Sequence, residues 1–272
     1  MKKLTCISVA VDYSDFLCWS ILENKNSFDQ WIIVTSTKDI KTKELCDNNN
    51  IYCLQTDVFY ENGIFNKYAG INEALKLVDS DSWVLFLDAD IILPNLFKYV
   101  LERISLDEKC IYGIDRVNCI GLEKWVDYIY RRDSLYQNWL LHSSGFPLGA
   151  RLVHYFGEAR DEGHFLGWRP LGFFQLAHKG AFNTYPQNTI GADHCDLEFV
   201  RHWERKNRIL IPEILGIHLE SVGASKGLNW HGRKSLPFTL NQTVGLGTKF
   251  KYFWYKLKVK YQKIRFKLVK SC

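Results

Sequence analysis

Short apolar runs alternate with amphipathic stretches over the first hundred positions. Leu4 to Val11 is apolar and rich in β-branched residues, which predicts a buried strand; Trp31–Thr35, Ile51–Gln55 and Trp83–Leu87 repeat the pattern. Between them, Asp15–Phe28 and the more polar Lys38–Asn48 carry helical spacing. Phe65, Tyr68, Ala69, Asn72, Leu75 and Val78 mark one face of a third helix. Pro94 fits the opening of a fourth, running to about Ile104. Strand and helix in strict alternation predict an α/β fold with a mostly parallel sheet and helices on both faces. In such sheets ligands bind at the carboxyl ends of the strands.

The periodicity then fades. From about Cys110 to Tyr185 aromatics and glycines dominate, as in Gly167-Trp168-Arg169-Pro170-Leu171-Gly172-Phe173-Phe174, and irregular structure with short strands and helices is expected. Ile190–Asn207 reads as helical from about Asp193, and Ile209–Leu219 as a strand. No repeat or low-complexity linker divides the chain. We expect one compact domain over residues 1–235 and a C-terminal tail over 236–272.

Composition sharpens that division. The chain has 272 residues, 47% hydrophobic and 24% charged, enough for one large soluble domain. The net charge of +5 is uneven: beyond Glu220 there is no acid, and 12 Lys or Arg lie between Lys226 and Lys270. An acidic body with a basic tail points to an anionic partner, a membrane surface or nucleic acid. Phe250, Phe253, Trp254, Leu257, Tyr261, Ile264 and Leu268 fall at helical spacing among the lysines, as in a basic amphipathic helix on a membrane. Lys256–Tyr261 also alternates like a strand, and a helix packed on the domain with a solvated basic face gives the same pattern. Eight scattered cysteines without a Cys-x-x-Cys pair read as free thiols in a reducing compartment. The opening Met1-Lys2-Lys3 and short apolar run imitate a signal peptide, but the run ends at Asp12 and reads as the first strand. No run reaches transmembrane length. The expected location is cytoplasmic, peripheral on the inner face of the membrane.

The most specific chemistry follows the fourth strand. In Leu87-Asp88-Ala89-Asp90 two carboxylates one residue apart leave a buried strand, where both can reach one hard cation, Mn2+ or Mg2+. Asp-x-Asp is common in solvated turns, but Ile91-Ile92-Leu93-Pro94 follows here, so the acids sit between apolar segments. A second cluster, Gly191-Ala192-Asp193-His194-Cys195-Asp196, could be a plain helix N-terminus, where Asp is favoured by free N–H groups, or an acid–base site. His218, after an apolar strand, is either a satisfied structural residue or a ligand. In Asn229-Trp230-His231-Gly232-Arg233-Lys234, a glycine with two cations suits a diphosphate as well as it suits an exposed turn. Phe173, Gln175 and Trp230 suit a sugar acceptor, and core packing explains the phenylalanines equally well.

With these residues quoted, the chain resembles GT-A glycosyltransferases of the family 2 type. Leu87–Asp90 matches the DxD motif after the fourth strand. Asn66-Lys67-Tyr68-Ala69-Gly70-Ile71-Asn72-Glu73-Ala74 is similar to the preceding helix, with Lys67 near the donor. Val11-Asp12-Tyr13 takes the place of the nucleotide-holding loop, though without the proline common there, and Asp57 that of an acid near the base. The resemblance covers about residues 4–100 and resumes near 172–200. It implies a Rossmann-like GT-A fold, metal ligands Asp88 and Asp90 with His218 as a third, and Asp12, Tyr13, Asp57, Lys67, Ala89, Arg233 and Lys234 around a nucleotide-diphosphate sugar. Asp193, His194 and Asp196 resemble the Gly-Glu-Asp-x-Asp/Glu-Leu segment of inverting, galactosyltransferase-like enzymes. There acids bind the acceptor and deprotonate it, although His194 stands where that pattern has its catalytic Asp.

The expected function is metal-dependent transfer of a sugar from a nucleotide-diphosphate sugar to a glycan or lipid-linked acceptor, with inversion. Two alternatives remain at this stage. A sugar-phosphate nucleotidyltransferase would carry a glycine-rich basic loop after the first strand, and Val11-Asp12-Tyr13-Ser14-Asp15 has neither glycine nor cation. A non-catalytic membrane or nucleic-acid binder would use the basic tail; nucleic acid fits the acidic body poorly.

Overall fold

The computed structural model describes residues 2–135, 169–186, 195–224, 227–240 and 253. Four strands follow the apolar runs: Leu4–Val9 (β1), Gln30–Ser36 (β2), Tyr52–Thr56 (β3) and Trp83–Leu87 (β4). Helices Ser14–Asn24 (α1), Ile40–Asp47 (α2) and Lys67–Leu75 (α3) connect them. Local chemistry explains their starts. The Asp39 carboxylate accepts from the Thr42 N–H, and the Asn66 amide accepts from the N–H groups of Tyr68 and Ala69, each satisfying donors that a first turn leaves open. β1 pairs in parallel with both β2 and β4, and β2 with β3. The order β3-β2-β1-β4 means the chain winds outward from β1 and then returns to its other side. That reversal opens a crevice at the carboxyl ends of β1 and β4.

The second half of the sheet is built differently. A two-residue strand Ile91–Ile92 (β5) and helix Phe97–Arg103 (α4) follow β4. The helix starts one turn later than expected, because Pro94 opens a turn closed by Phe97 N–H donating to its carbonyl at 2.9 Å. Then come Ile111–Ile120 (β6), Leu122–Leu135 (α5), Phe174–His178 (β7), Cys195–Arg201 (α6) and Arg208–Glu220 (β8). The eight strands run β3-β2-β1-β4-β7-β6-β8-β5. β7 lies antiparallel between β4 and β6, β6 and β8 are parallel, and β5 is antiparallel to β8. The fold is therefore α/β with a mostly parallel sheet.

The expectation of irregular structure after Cys110 is corrected by β6 and α5. In β6 the run Ile-Tyr-Gly-Ile-Asp-Arg-Val-Asn-Cys-Ile hides its period behind polar side chains, and a register shift between Gly113 and Asp115 breaks it further. α5 carries Leu122, Trp125, Val126 and Ile129 at helical spacing, all buried. They pack with Phe16, Trp19 and Phe238, and replacing the fully buried Trp125 by alanine would cost about 3–5 kcal/mol. Phe238 stacks on Phe16 at 4.6 Å, so the chain stays on the body at least that far. Of the proposed tail, residues 241–272 lie outside the described residues except Phe253, which is exposed. The seven described cysteines form no disulfide. Among the described residues, no helix is long and apolar enough to cross a membrane.

Candidate functional site

A cavity of about 500 Å³ occupies the crevice beyond β1 and β4. Tyr13, Lys67, Asp88, Ala89, Asp90, Phe173, Asp196, His218, Trp230 and Arg233 line it. Asp12, Asp57, Gln175 and Lys234 stand outside that lining, and Asp193 and His194 lie outside the described residues.

Three elements hold the Asp88-Ala89-Asp90 turn. The Asp88 N–H donates to the Phe173 carbonyl at 3.1 Å, ahead of β7. The Ala89 carbonyl accepts from Ser20 Oγ on α1 at 2.6 Å. The Asp90 carbonyl accepts from the Leu219 N–H on β8 at 2.9 Å, and Ile91 pairs with His218 in the adjoining ladder. With the main chain fixed at each residue, the two carboxylates diverge to different partners. Asp88 meets the Lys67 ammonium from the first turn of α3. Burial works to lower the Lys67 pKa, but the charge and hydrogen bond of Asp88, with Asp196 and Asp90 farther off, raise it overall.

Asp90 faces His218, with Oδ2 3.4 Å from Nε2. Burial alone would raise the Asp90 pKa; the imidazolium, Arg116 and Lys67 hold it below the ordinary value. His218 shows the reciprocal effect: burial opposes its charge, yet Asp90 leads a set of interactions that raise its pKa. On its other side the ring Nδ1 lies 3.1 Å from Glu220 Oε1 and 3.3 Å from Asn118 Oδ1. Strand alternation puts Gly216, His218 and Glu220 on one face of β8, and the parallel register sets Arg116 and Asn118 of β6 beside Gly216 and His218. The Arg116 guanidinium lies over the Phe173 ring at 4.3 Å.

Asp196, in the first turn of α6, is half-buried against the same cavity. Its Oδ2 accepts from the Gly172 N–H at 2.8 Å and its Oδ1 from the Leu197 N–H at 2.9 Å. A Cβ on Gly172 would sit 2.7 Å from that of Asp196, so only glycine permits this approach. Burial raises the Asp196 pKa, and these N–H groups and Lys67 do not cancel it.

Two expectations need correction. Gln175 was expected to touch an acceptor; it is fully buried, donates to the carbonyls of Pro170 at 2.9 Å and Asp196 at 3.1 Å, and accepts from the Tyr185 hydroxyl. Its polar groups are consumed in bracing β7 against α6. Arg233 was expected, with Lys234, on a loop facing a diphosphate. It is instead bidentate to Asp15 at the start of α1, with Nη2 to Oδ2 at 2.7 Å, and bonded to the Asp12 carbonyl. Its guanidinium lies 4.8 Å from the Tyr13 ring. That clasp, with Phe238 N–H donating to Asp15 at 2.6 Å and Asn229 bonded to the Tyr13 hydroxyl, fastens the segment 227–240 along the cavity rim.

Sequence reasoning missed Arg116, Asn118 and Glu220. Glu220 lay one residue past the strand expected to end at Leu219, as the alternate neighbour of His218; the other two lay on a strand that was not expected.

Asp90 Oδ1 is buried without a hydrogen-bond partner, and carboxylate oxygens beside an imidazole form a donor set suited to Mn2+ or Mg2+. Among the described residues no group of three or more His, Cys, Asp or Glu side chains is already gathered as a metal cage, since Asp88 turns to Lys67. The residues fit such an ion by chemistry: Asp88 and Asp90, with His218, are the groups that would hold it.

The family model described as glycosyl transferase family 2 matches residues 16–157, just over half of the chain. No curated protein matches. Among solved structures, a mannosyl-3-phosphoglycerate synthase from Rubrobacter xylanophilus is 14% identical over 50% of this chain and 48% of that one, with a TM-score of 0.35. A glucosyl-3-phosphoglycerate synthase from Mycobacterium tuberculosis, in complex with Mn2+, uridine diphosphate and glucosyl-3-phosphoglycerate, is 10% identical over 80% of this chain and 70% of that one, with a TM-score of 0.43. An inositol-1-phosphate CTP transferase from T. maritima is 14% identical over 44% of this chain and 57% of that one, with a TM-score of 0.31. The chain spans about half the length of the first of these.

Proposed function

We propose a function from one premise: the chain belongs to glycosyl transferase family 2. It transfers a sugar from a nucleotide-diphosphate donor to a hydroxyl of a glycan or lipid-linked acceptor, with inversion at the anomeric carbon. The observation that carries this reading is the convergence of Asp88, Asp90, Lys67, His218 and Asp196 on one cavity at the switch point of the sheet.

Asp88, Asp90 and His218 would hold a divalent cation, which would supply charge neutralisation for the leaving nucleoside diphosphate. Lys67 adds a fixed positive charge to the same wall. Tyr13 and Ala89 flank the donor, with Asp12 and Asp57 towards its nucleoside end and Lys234 on the rim segment. Phe173 and Trp230 offer aromatic surface to the acceptor. The acceptor hydroxyl gives its proton to a base in the segment holding Asp193, His194 and Asp196. Asp196 is the described member, and its raised pKa suits a group that must accept a proton. The basic tail, Gly247–Lys270, holds the enzyme on an anionic membrane beside its acceptor, each basic residue contributing roughly 1 kcal/mol.

Purified protein incubated with UDP- and GDP-sugars and Mn2+ should release nucleoside diphosphate and stop when EDTA is added. Full turnover in EDTA, or no turnover with any donor, would overturn the reading. Truncation after Thr248 should keep that hydrolysis but abolish sedimentation with anionic vesicles; a full-length protein that ignores such vesicles at low salt removes the membrane role.

A further inference from the structure

We infer that Glu220 and Asn118 are positioning residues that hold the His218 ring in one tautomer, with Nε2 always presented to Asp90. The inference deepens the proposed function and rests on its metal reading. The geometry begins in the ladders. Parallel pairing of β6 with β8 sets Asn118 beside His218, and antiparallel pairing of β5 with β8 sets Ile91 opposite His218, which delivers Asp90 to the imidazole. Asn118 is 1% exposed. Its Nδ2 donates to Glu220 Oε1 at 2.8 Å, which fixes the amide so that Oδ1 faces the ring.

His218 Nδ1 therefore faces two oxygens, Glu220 Oε1 at 3.1 Å and Asn118 Oδ1 at 3.3 Å. A carboxylate and an amide oxygen can only accept, so a ring nitrogen between them must carry hydrogen. With Nδ1 turned to these two acceptors and keeping its hydrogen, Nε2 is the nitrogen turned to the site, 3.4 Å from Asp90 Oδ2. Nε2 and the buried Asp90 carboxylate thus address the same wall of the cavity. Carboxylate partners behind a ligating histidine fix its orientation and tautomer, and their loss typically weakens metal binding about 10- to 100-fold. Neither Glu220 nor Asn118 needs to touch donor, acceptor or metal for this role.

The test has two readouts. In metal-free protein labelled at histidine nitrogens, His218 should show hydrogen at Nδ1, and Glu220→Ala should lose or redistribute it. Mn2+ binding followed by electron paramagnetic resonance should weaken about 10- to 100-fold in Glu220→Ala and by less in Asn118→Ala. Glu220→Gln, whose amide oxygen can still accept, should recover part of both signals. Thermal melts of each variant identify any that fail to fold, and Glu220→Gln keeps the test alive if Glu220→Ala does. Unchanged Mn2+ affinity and an unchanged His218 nitrogen spectrum in Glu220→Ala would overturn the inference. If wild-type protein binds no Mn2+ but its Nδ1 hydrogen depends on Glu220, the metal reading fails and the positioning stands.

Discussion

The two halves of the sheet contrast in how they were assembled. β3-β2-β1-β4 comes from consecutive βα units, and each strand pairs with one close in sequence or one turn of the winding away. β7-β6-β8-β5 comes from distant segments: Leu87 pairs with Phe174, Ile91 with His218 and Asn118 with the same histidine. The first half supplies a rigid platform and the backbone that enters the crevice. The second supplies most partners of the charged groups there. Asp88 and Asp90 sit on the seam, one turned to Lys67 of the first half and the other to His218 of the second. The contrast teaches that a site can combine a locally coded frame with chemistry fixed only by long-range register.

Substitutions should follow that division. The largest effect is expected at the seam. Asp90→Ala should lower divalent-dependent kcat/KM by roughly a thousandfold, about 4 kcal/mol of transition-state stabilisation, without loss of the folded state by circular dichroism. Activity within a few fold of wild type would move the chemistry elsewhere.

Asp196→Asn should reduce kcat by about 10²–10⁴-fold with little change in donor affinity. The pH profile sharpens this. Burial raises the Asp196 pKa above 3.8, and a base works only when deprotonated, so the wild-type acid limb should lie above 3.8 and vanish in the variant. An acid limb that survives Asp196→Asn would assign the base to Asp193 or His194.

The clasp between Asp15 and Arg233 joins the halves and should matter to stability. Burial would raise the Asp15 pKa, but Arg233 and the Phe238 N–H bring it below 3.8. A lowered carboxylate pKa stabilises the fold above the unfolded value and loses that contribution as pH falls through the folded one. Acid titration of stability should therefore show a loss below about pH 4 that is smaller in Asp15→Asn. At neutral pH the variant should be destabilised by roughly 2 kcal/mol in urea unfolding. An unchanged midpoint would mean the rim segment is held by Phe238 packing alone.

The smallest effect is expected in the locally built half. Asp39→Ala removes the α2 cap and should cost about 1 kcal/mol. A much larger loss would show that the first half also depends on distant contacts, since Asp39 additionally accepts from the Asp12 N–H at 2.7 Å and the Thr35 hydroxyl at 2.9 Å.

Sequence alone determined the first half because its signals are local. Trp83–Leu87 is entirely apolar, ends at two acids and forms a buried strand with those bounds, and the helical face of Tyr68, Ala69, Asn72 and Leu75 is buried as its spacing predicts. The alternating units dictated a mostly parallel α/β sheet and a crevice at its carboxyl edge. Tertiary structure alone decided what surrounds the acids. β6 buries Asp115 and Asn118 within a sheet, so its period was hidden, and no spacing could reveal that Asn118 would meet a histidine one hundred residues later. Gln175 and Arg233 carry groups suited to a ligand, but burial and the clasp to Asp15 spend them within the protein. Residue type limits which bonds a side chain can make; which partner it meets is set by long-range strand register, and that register exists only once the chain has folded.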